Sequence, residues 1–90
     1  MKKTYKVTYS DRADKALHKL DRPMRILIMS WIEKNLVDCT EPRRIGKALT
    51  GQFKGSWRYR VGDYRIIAEI KDEEVLILVV DVGHRSDIYR

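Results

Sequence analysis

Apolar and polar side chains alternate from Thr4 to Tyr9, with Tyr5, Val7 and Tyr9 set against Thr4, Lys6 and Thr8, the period of a half-buried strand. From Ser10 or Asp11, either of which can cap a helix, the spacing changes to threes and fours. Ala13, Ala16, Leu17 and Leu20 then form one buried stripe of a short helix. Asp21-Arg22-Pro23 restarts the chain as a second helix, a cap candidate followed by a proline in the first turn, where no intrahelical N–H is needed. This helix is expected to run to about Asp38 with Met24, Leu27, Ile28, Trp31 and Ile32 as its apolar face. Ile26 and Met29 fall off that stripe and read either as core periphery or as a ridge for a partner.

Cys39 to Gly55 contains Pro42, Gly46, Gly51 and Gly55 and reads as a long connection with a short turn of its own. Trp57–Val61 and Tyr64–Lys71 flank Gly62-Asp63, a two-residue loop with glycine first, as a type II′ hairpin turn requires. After an Asp72-Glu73 turn, Val75 to Val82 is apolar on both faces and is expected inside the sheet. The order is β-α-α-β-β-β. It describes an α+β fold, an antiparallel sheet packed against a two-helix hairpin, with residues 1–90 forming a single domain.

The hairpin fixes a register that sorts its side chains. Val61 faces Tyr64, Arg60 faces Arg65, Tyr59 faces Ile66 and Arg58 faces Ile67. Trp57, Tyr59, Val61, Tyr64, Ile66 and Ala68 therefore share the face expected under the helices, and Arg58, Arg60 and Arg65 share the other. Like charges directly opposite on a sheet are destabilising, so either a carboxylate relieves them, with Glu69 the nearest on that face, or an anionic ligand does. The last strand returns beside Arg65 and leads into Gly83-His84-Arg85, which brings another arginine and an imidazole to the same edge.

Composition adds to this picture at two points. With 19 Lys and Arg against 13 Asp and Glu, the 90-residue chain carries +6, a balance that favours polyanions. The charge is also clustered: seven basic residues, Lys47 and Lys54 among them, lie between Arg43 and Arg65 against the single acid Asp63. A solvated basic face with arginine stems lying over apolar sheet is the plain alternative. The lone Cys39 excludes an intramolecular disulfide and a cysteine zinc cluster and suits a reducing cytoplasm. Met1-Lys2-Lys3-Thr4-Tyr5-Lys6 is basic but no long apolar run follows, so neither a signal peptide nor a membrane anchor is expected.

Arginine offers a planar fork of donors to phosphate and stabilises developing negative charge, but it is a poor base. No metal is expected: His18 and His84 are the only histidines, and no carboxylate pair stands at ligand spacing. His18 reads as a surface residue. His84, among the arginines, has two readings, a proton-transfer group working near neutral pH or a hydrogen-bonding residue that holds a turn. Tyr89 can stack on a base or close the core.

The segments "GSWRYRVGDYRIIAEI" and "VLILVVDVGHRSDIY", with the helical "DRADKALHKLDRPMRILI" and the "KALTGQFKGSWRYR" entry to the sheet, resemble the RelE/StbE branch of the RelE/ParE toxin superfamily over nearly the whole chain. The resemblance implies a RelE-like microbial RNase fold, and a toxin of a type II toxin-antitoxin system that cleaves mRNA in the ribosomal A site without metal or other cofactor. The 2′-hydroxyl would attack its own phosphate to give a 2′,3′-cyclic phosphate and a 5′-hydroxyl. Carried over by position, Arg65 and Arg85 match arginines that stabilise the phosphate and transition state, and Tyr89 matches a substrate-positioning tyrosine. Arg58 and Arg60 fall where the best-known member has lysines, one proposed as general base; arginine keeps the charge and makes base catalysis harder. They join Lys47 and Lys54 as RNA-binding candidates, and His84 becomes the substitute acid or base. Implied partners are mRNA, the ribosome and a RelB/StbD-like antitoxin, in an assembly that can reach a heterotetramer, with no membrane. A short or absent C-terminal helix is expected. Two further functions stay open: a ParE-like inhibitor of DNA gyrase without nuclease activity, and a basic RNA-binding module without catalysis.

Overall fold

A computed structural model describes residues 3–88. The chain runs β1 (Lys6–Tyr9), α1 (Asp11–Lys19), α2 (Arg22–Asn35), β2 (Lys47–Ala48), β3 (Trp57–Val61), β4 (Tyr64–Lys71), β5 (Leu76–His84) and α3 (Arg85–Ile88). The expected order holds, with β2 as an addition inside the long connection. The five strands lie in the order β1-β5-β4-β3-β2. The sheet is mixed rather than wholly antiparallel, because β1 runs parallel to β5. The crossover from β1 passes through both helices, as a parallel neighbour requires.

Ser10 begins α1 and does three things at once. Its Oγ accepts the Ala13 N–H at 3.0 Å, its hydroxyl donates to the Val80 carbonyl at 3.0 Å, and its own N–H donates to the Val79 carbonyl at 2.9 Å. Val80 is the residue skipped by the β4–β5 ladder, where Ala68 faces Val79 but Ile67 faces Asp81. Ser10 thus takes up the carbonyl that a bulge leaves without a ladder partner. One residue further, the bulge presents Asp81 to α1, and its Oδ2 lies 3.2 Å from Arg12 Nε.

In α2 the fully buried ridge is Ile28, Ile32 and Leu36, a strict i, i+4 series, flanked by Met24 and Trp31. Leu27, expected on the apolar face, is instead 52% exposed, beside the off-stripe Ile26 and Met29, which are exposed as their positions predict. The buried stripe is narrower than the sequence pattern because contact with the sheet follows the i, i+4 ridge. The helix ends at Asn35, short of Asp38, whose left-handed φ of 60° turns the chain back towards β1. No helix among the described residues is long and apolar enough to cross a membrane.

The core lies between the helices and one sheet face, with Tyr59, Ile66, Ala68, Ile77 and Val79 beneath Ala13, Leu17, Ile28 and Ile32. Tyr59 is the largest side chain in it. Its ring lies 5.7 Å from that of Trp31, its hydroxyl donates to the Pro42 carbonyl at 2.6 Å, and burial pushes its pKa far up. At the far end, Arg43 forks onto Asp72 with two 2.9 Å bonds while Tyr5 OH donates to Asp72 Oδ1 at 2.7 Å. This clamp ties the chain before β1, the loop after α2 and the β4–β5 turn together.

Arg43 first, then Tyr5, holds the Asp72 carboxyl below its usual range. A depressed carboxylate stabilises the fold above the unfolded value of about 3.9 and loses that contribution as pH falls through the folded value. Asp72→Asn is therefore expected to melt below the wild type at pH 7, with the difference closing in scans taken below the unfolded value of about 3.9.

Candidate functional site

The hairpin register is the one its sequence predicts: Arg60 faces Arg65 and Arg58 faces Ile67. Gly62 has φ of 60° while Asp63 does not enter the left-handed region, the combination of a type II′ turn. Beyond β3, Lys47 stands directly opposite Arg58. This short pairing is held by Trp57, whose indole N–H donates to the Ile45 carbonyl at 2.7 Å, and by Gly46 at φ 83°. A Cβ at Gly46 would meet the Arg58 carbonyl and come within 2.6 Å of Trp57 Nε1, so only glycine lets the chain pass so near β3. Lys47, Arg58, Arg60 and Arg65 consequently line the sheet face away from the helices.

Arg65 is only 7% exposed. Its Nε has no hydrogen-bond partner, and its Nη1 reaches only the Tyr64 carbonyl at 3.4 Å. Arg58 is half-buried with its Nε equally unpartnered, and Arg60 Nε makes a 3.4 Å contact with the Gly62 carbonyl. Among the described residues the ion pairs are Arg12–Asp81, His18–Asp14 and Arg43–Asp72, so Glu69 does not relieve the arginines of this face. Of the two remedies open to stacked like charges, the carboxylate is not used. Arg43, counted in the basic run by sequence, belongs to the structural clamp.

Arg85 is exposed at the end of β5, and its backbone N–H donates to the Asp63 carbonyl at 2.9 Å, which sets it beside the hairpin turn near Arg60 and Arg65. Lys54 is exposed in the turn leading to β3, outside the ladder. Tyr89 lies outside the described residues. His84 departs from its expected surroundings: it faces Tyr64, on the helix side of the sheet, whereas Gly83 faces Arg65. The rings of His84 and Tyr64 meet edge to face at 5.5 Å. His84 Nδ1 lies 3.2 Å from the Ser86 N–H and 2.8 Å from Ser86 Oγ. Because a backbone N–H can only donate, Nδ1 is the acceptor and Nε2 carries the ring proton. This is the arrangement of a histidine that holds a turn.

Sequence reasoning passed over the other side of that histidine. Arg12, Lys15 and Lys19 of α1 line a cleft of about 660 Å³ together with Tyr64, Asp81 and His84. Their i, i+3, i+7 spacing was the available signal, since it places them on one helical face.

The comparisons with known proteins agree with this geometry. Residues 7–89 match the family model of the ParE toxin of the type II toxin-antitoxin system parDE. Toxin RelG of Mycobacterium tuberculosis is 39% identical over 87 residues, covering 96% of this chain and 97% of that protein. The chain belongs to the RelE/ParE toxin superfamily. Among solved structures, the toxin-antitoxin complex RelBE2 of M. tuberculosis contains a chain superposing with a TM-score of 0.82 at 31% identity, over 93% of this toxin and 94% of that chain. The intact Escherichia coli RelBE complex gives 0.69 at 26%, over 89% and 95%. The toxin is a type II toxin-antitoxin toxin of the RelE family with the RelE-like fold.

A buried arginine without a counter-charge costs stability that an apolar side chain of similar length would not. Arg65→Met is expected to raise unfolding stability by on the order of 1 kcal/mol in urea titrations, even as it removes the cation at the centre of the face. For His84, asparagine can replace Nδ1 as the acceptor for Ser86. A turn-holding His84 therefore predicts that growth inhibition survives in His84→Asn and falls in His84→Gln; a proton-transfer His84 predicts loss in both.

Proposed function

We propose that this toxin is a ribosome-dependent, metal-independent endoribonuclease that cuts mRNA in the ribosomal A site and so stops translation in the cytoplasm. The observation that carries the reading is Arg65, nine-tenths buried with its Nε unpartnered and another arginine directly opposite, a place for an anion that none of the described residues supplies. The family relationship supplies the toxin context, and the guanidinium fork suits a phosphodiester.

In this reading Arg65 and Arg85 hold the scissile phosphate while the 2′-hydroxyl oxygen bonds to phosphorus and the P–O5′ bond breaks. The 2′-hydroxyl loses its proton, the departing 5′-oxygen gains one, and the products are a 2′,3′-cyclic phosphate and a 5′-hydroxyl. Negative charge gathers on the non-bridging oxygens as phosphorus becomes five-coordinate, which is where fixed guanidinium groups lower the barrier. Arg58, Arg60, Lys47 and Lys54 hold the RNA backbone on either side, and Tyr89 positions the substrate. His84 serves the site by fixing the junction through which Arg85 is presented. Solved relatives contain RelB antitoxins, and a RelB/StbD-like partner neutralises this toxin in the same manner, within an assembly that can reach a heterotetramer.

Gyrase inhibition is the competing reading, because the matching family model is named for ParE. Primer extension on mRNA with purified toxin separates the two: cuts that appear only with ribosomes support the nuclease, and uncut mRNA with blocked supercoiling supports the gyrase poison. Arg65→Ala and Arg85→Ala are each expected to abolish cleavage and growth inhibition in a folded protein, by roughly the 10²–10³ typical of a lost transition-state donor. Arg58→Ala and Arg60→Ala should each cost less, with losses that grow at higher salt as backbone contacts do.

A further inference from the structure

Ile67 is out of place for a core residue. It is 1% exposed, as sealed as any side chain in the helix-side core, yet it stands apart from that core cluster. Its position in β4 explains why. Alternation puts Ile66 and Ala68 under the helices and Ile67 on the opposite face, the face of Arg58, Arg60 and Arg65. Arg58 is its cross-strand partner on β3 and Asp81, whose carboxylate is taken by Arg12, its partner on β5; Arg65 precedes it by two residues on the same strand, and Glu69 follows by two. The side chains able to cover it from the β3 side and from the N-terminal end of β4 are therefore two arginines.

The same two arginines have Nε groups that are shut off from solvent and unpartnered. Burial of an arginine is ordinarily secured by a carboxylate, and among the described residues neither has one. Packing is what remains to hold them. Arginine stems lie readily along apolar surface, and an isoleucine, stiff at χ1, offers a fixed surface to lie on.

We infer that Ile67 is a positioning residue for the arginine face: an apolar post against which the stems of Arg58 and Arg65 pack, so that their guanidinium groups are set before any anion arrives. A carboxylate could order the arginines as well, but it would compete with the phosphate for the same donors. An apolar post orders them and leaves every donor free. The inference deepens the nuclease reading, and its kinetic consequence rests on that reading.

The test compares Ile67→Ala with Ile77→Ala, an equal truncation in the helix-side core. In ¹H–¹⁵N spectra of the full-length toxin, the Nε–H signals of Arg58 and Arg65 are expected to exchange with solvent at least about tenfold faster in Ile67→Ala and to keep wild-type exchange in Ile77→Ala, as protection follows local rather than global opening. In single-turnover cleavage on programmed ribosomes, Ile67→Ala should be slower by roughly 10- to 100-fold per folded molecule, the size of effect that a misplaced catalytic group produces. Its KM should change far less, Ile77→Ala should keep the wild-type rate, and Ile67→Val should recover most of it. Should Ile67→Ala fail to fold, Ile67→Val carries the comparison, with faster Nε–H exchange than either the wild type or Ile77→Val. Unchanged exchange in a folded Ile67 variant overturns the inference, as does an equal effect from the Ile77 variant. A wild-type toxin that never cleaves sinks the nuclease reading alone, because the exchange comparison still decides whether Ile67 sets the arginines.

Discussion

The bulge at Val80, fastened by Ser10, is the constraint on which the rest of the structure depends. Before it, Ile77 and Val79 point into the core; after it the inward residue is Val82, three positions on rather than two. A continuous ladder would send Gly83 under the helices and His84 to the arginine face. The bulge reverses this, placing His84 on Tyr64 and leaving Gly83, which has no side chain to intrude, opposite Arg65. Bulges commonly re-aim side chains near functional sites. Here the hydroxyl that caps α1 also closes the bulge, so the helix, the parallel strand and the site edge are set by one residue.

The two sheet faces obey different rules. Under the helices, apolar side chains meet and the polar group of the largest, Tyr59, is satisfied by Pro42. On the other face, cations are stacked without counter-ions among the described residues, and one of them is buried. Such a face raises the free energy of the unliganded protein and thereby favours any anion able to fill it. Charge is neutralised at Arg43–Asp72 and Arg12–Asp81, and among the described residues no ion pair reaches Arg58, Arg60 or Arg65.

How far the sequence revealed this depended on how strongly local patterning constrained each element. The β3–β4 register was legible residue by residue, because a two-residue glycine-first loop admits one pairing and alternation then assigns both faces. A cap at Ser10 or Asp11, the break before α2 and the burial of β5 between two neighbours were legible for similar reasons, and the structure places the cap at Ser10. The bulge was not: Leu76 to Val80 is apolar at every position, so no alternation exists whose phase could be seen to slip. The misjudged surroundings of His84 follow from that one hidden residue. β2 escaped notice because two residues are too few for a period and their pairing depends on contacts made by Trp57 and Gly46. Leu27 was assigned inward by spacing, and the ridge actually used, through Leu36, became visible only with the sheet in place. That Arg65 is buried could not be read at all, since burial of an arginine is a property of its neighbours.

The pairing of β1 with β5 has a consequence for how the protein comes into being. Lys6 lies beside Leu76, a separation of 70 residues, and Ser10 bonds Val80 across the same span. Contacts of such range form late, because loop closure must be met before they contribute. During synthesis, β1 and both helices leave the ribosome with no sheet to receive them, and β3–β4 can at most form a hairpin. β5, the interior strand that joins β1 to the β3–β4 hairpin, is the last of these strands to emerge. The arginine face, carried on β2 to β4, is therefore fixed against the helical layer only once β5 has joined the sheet.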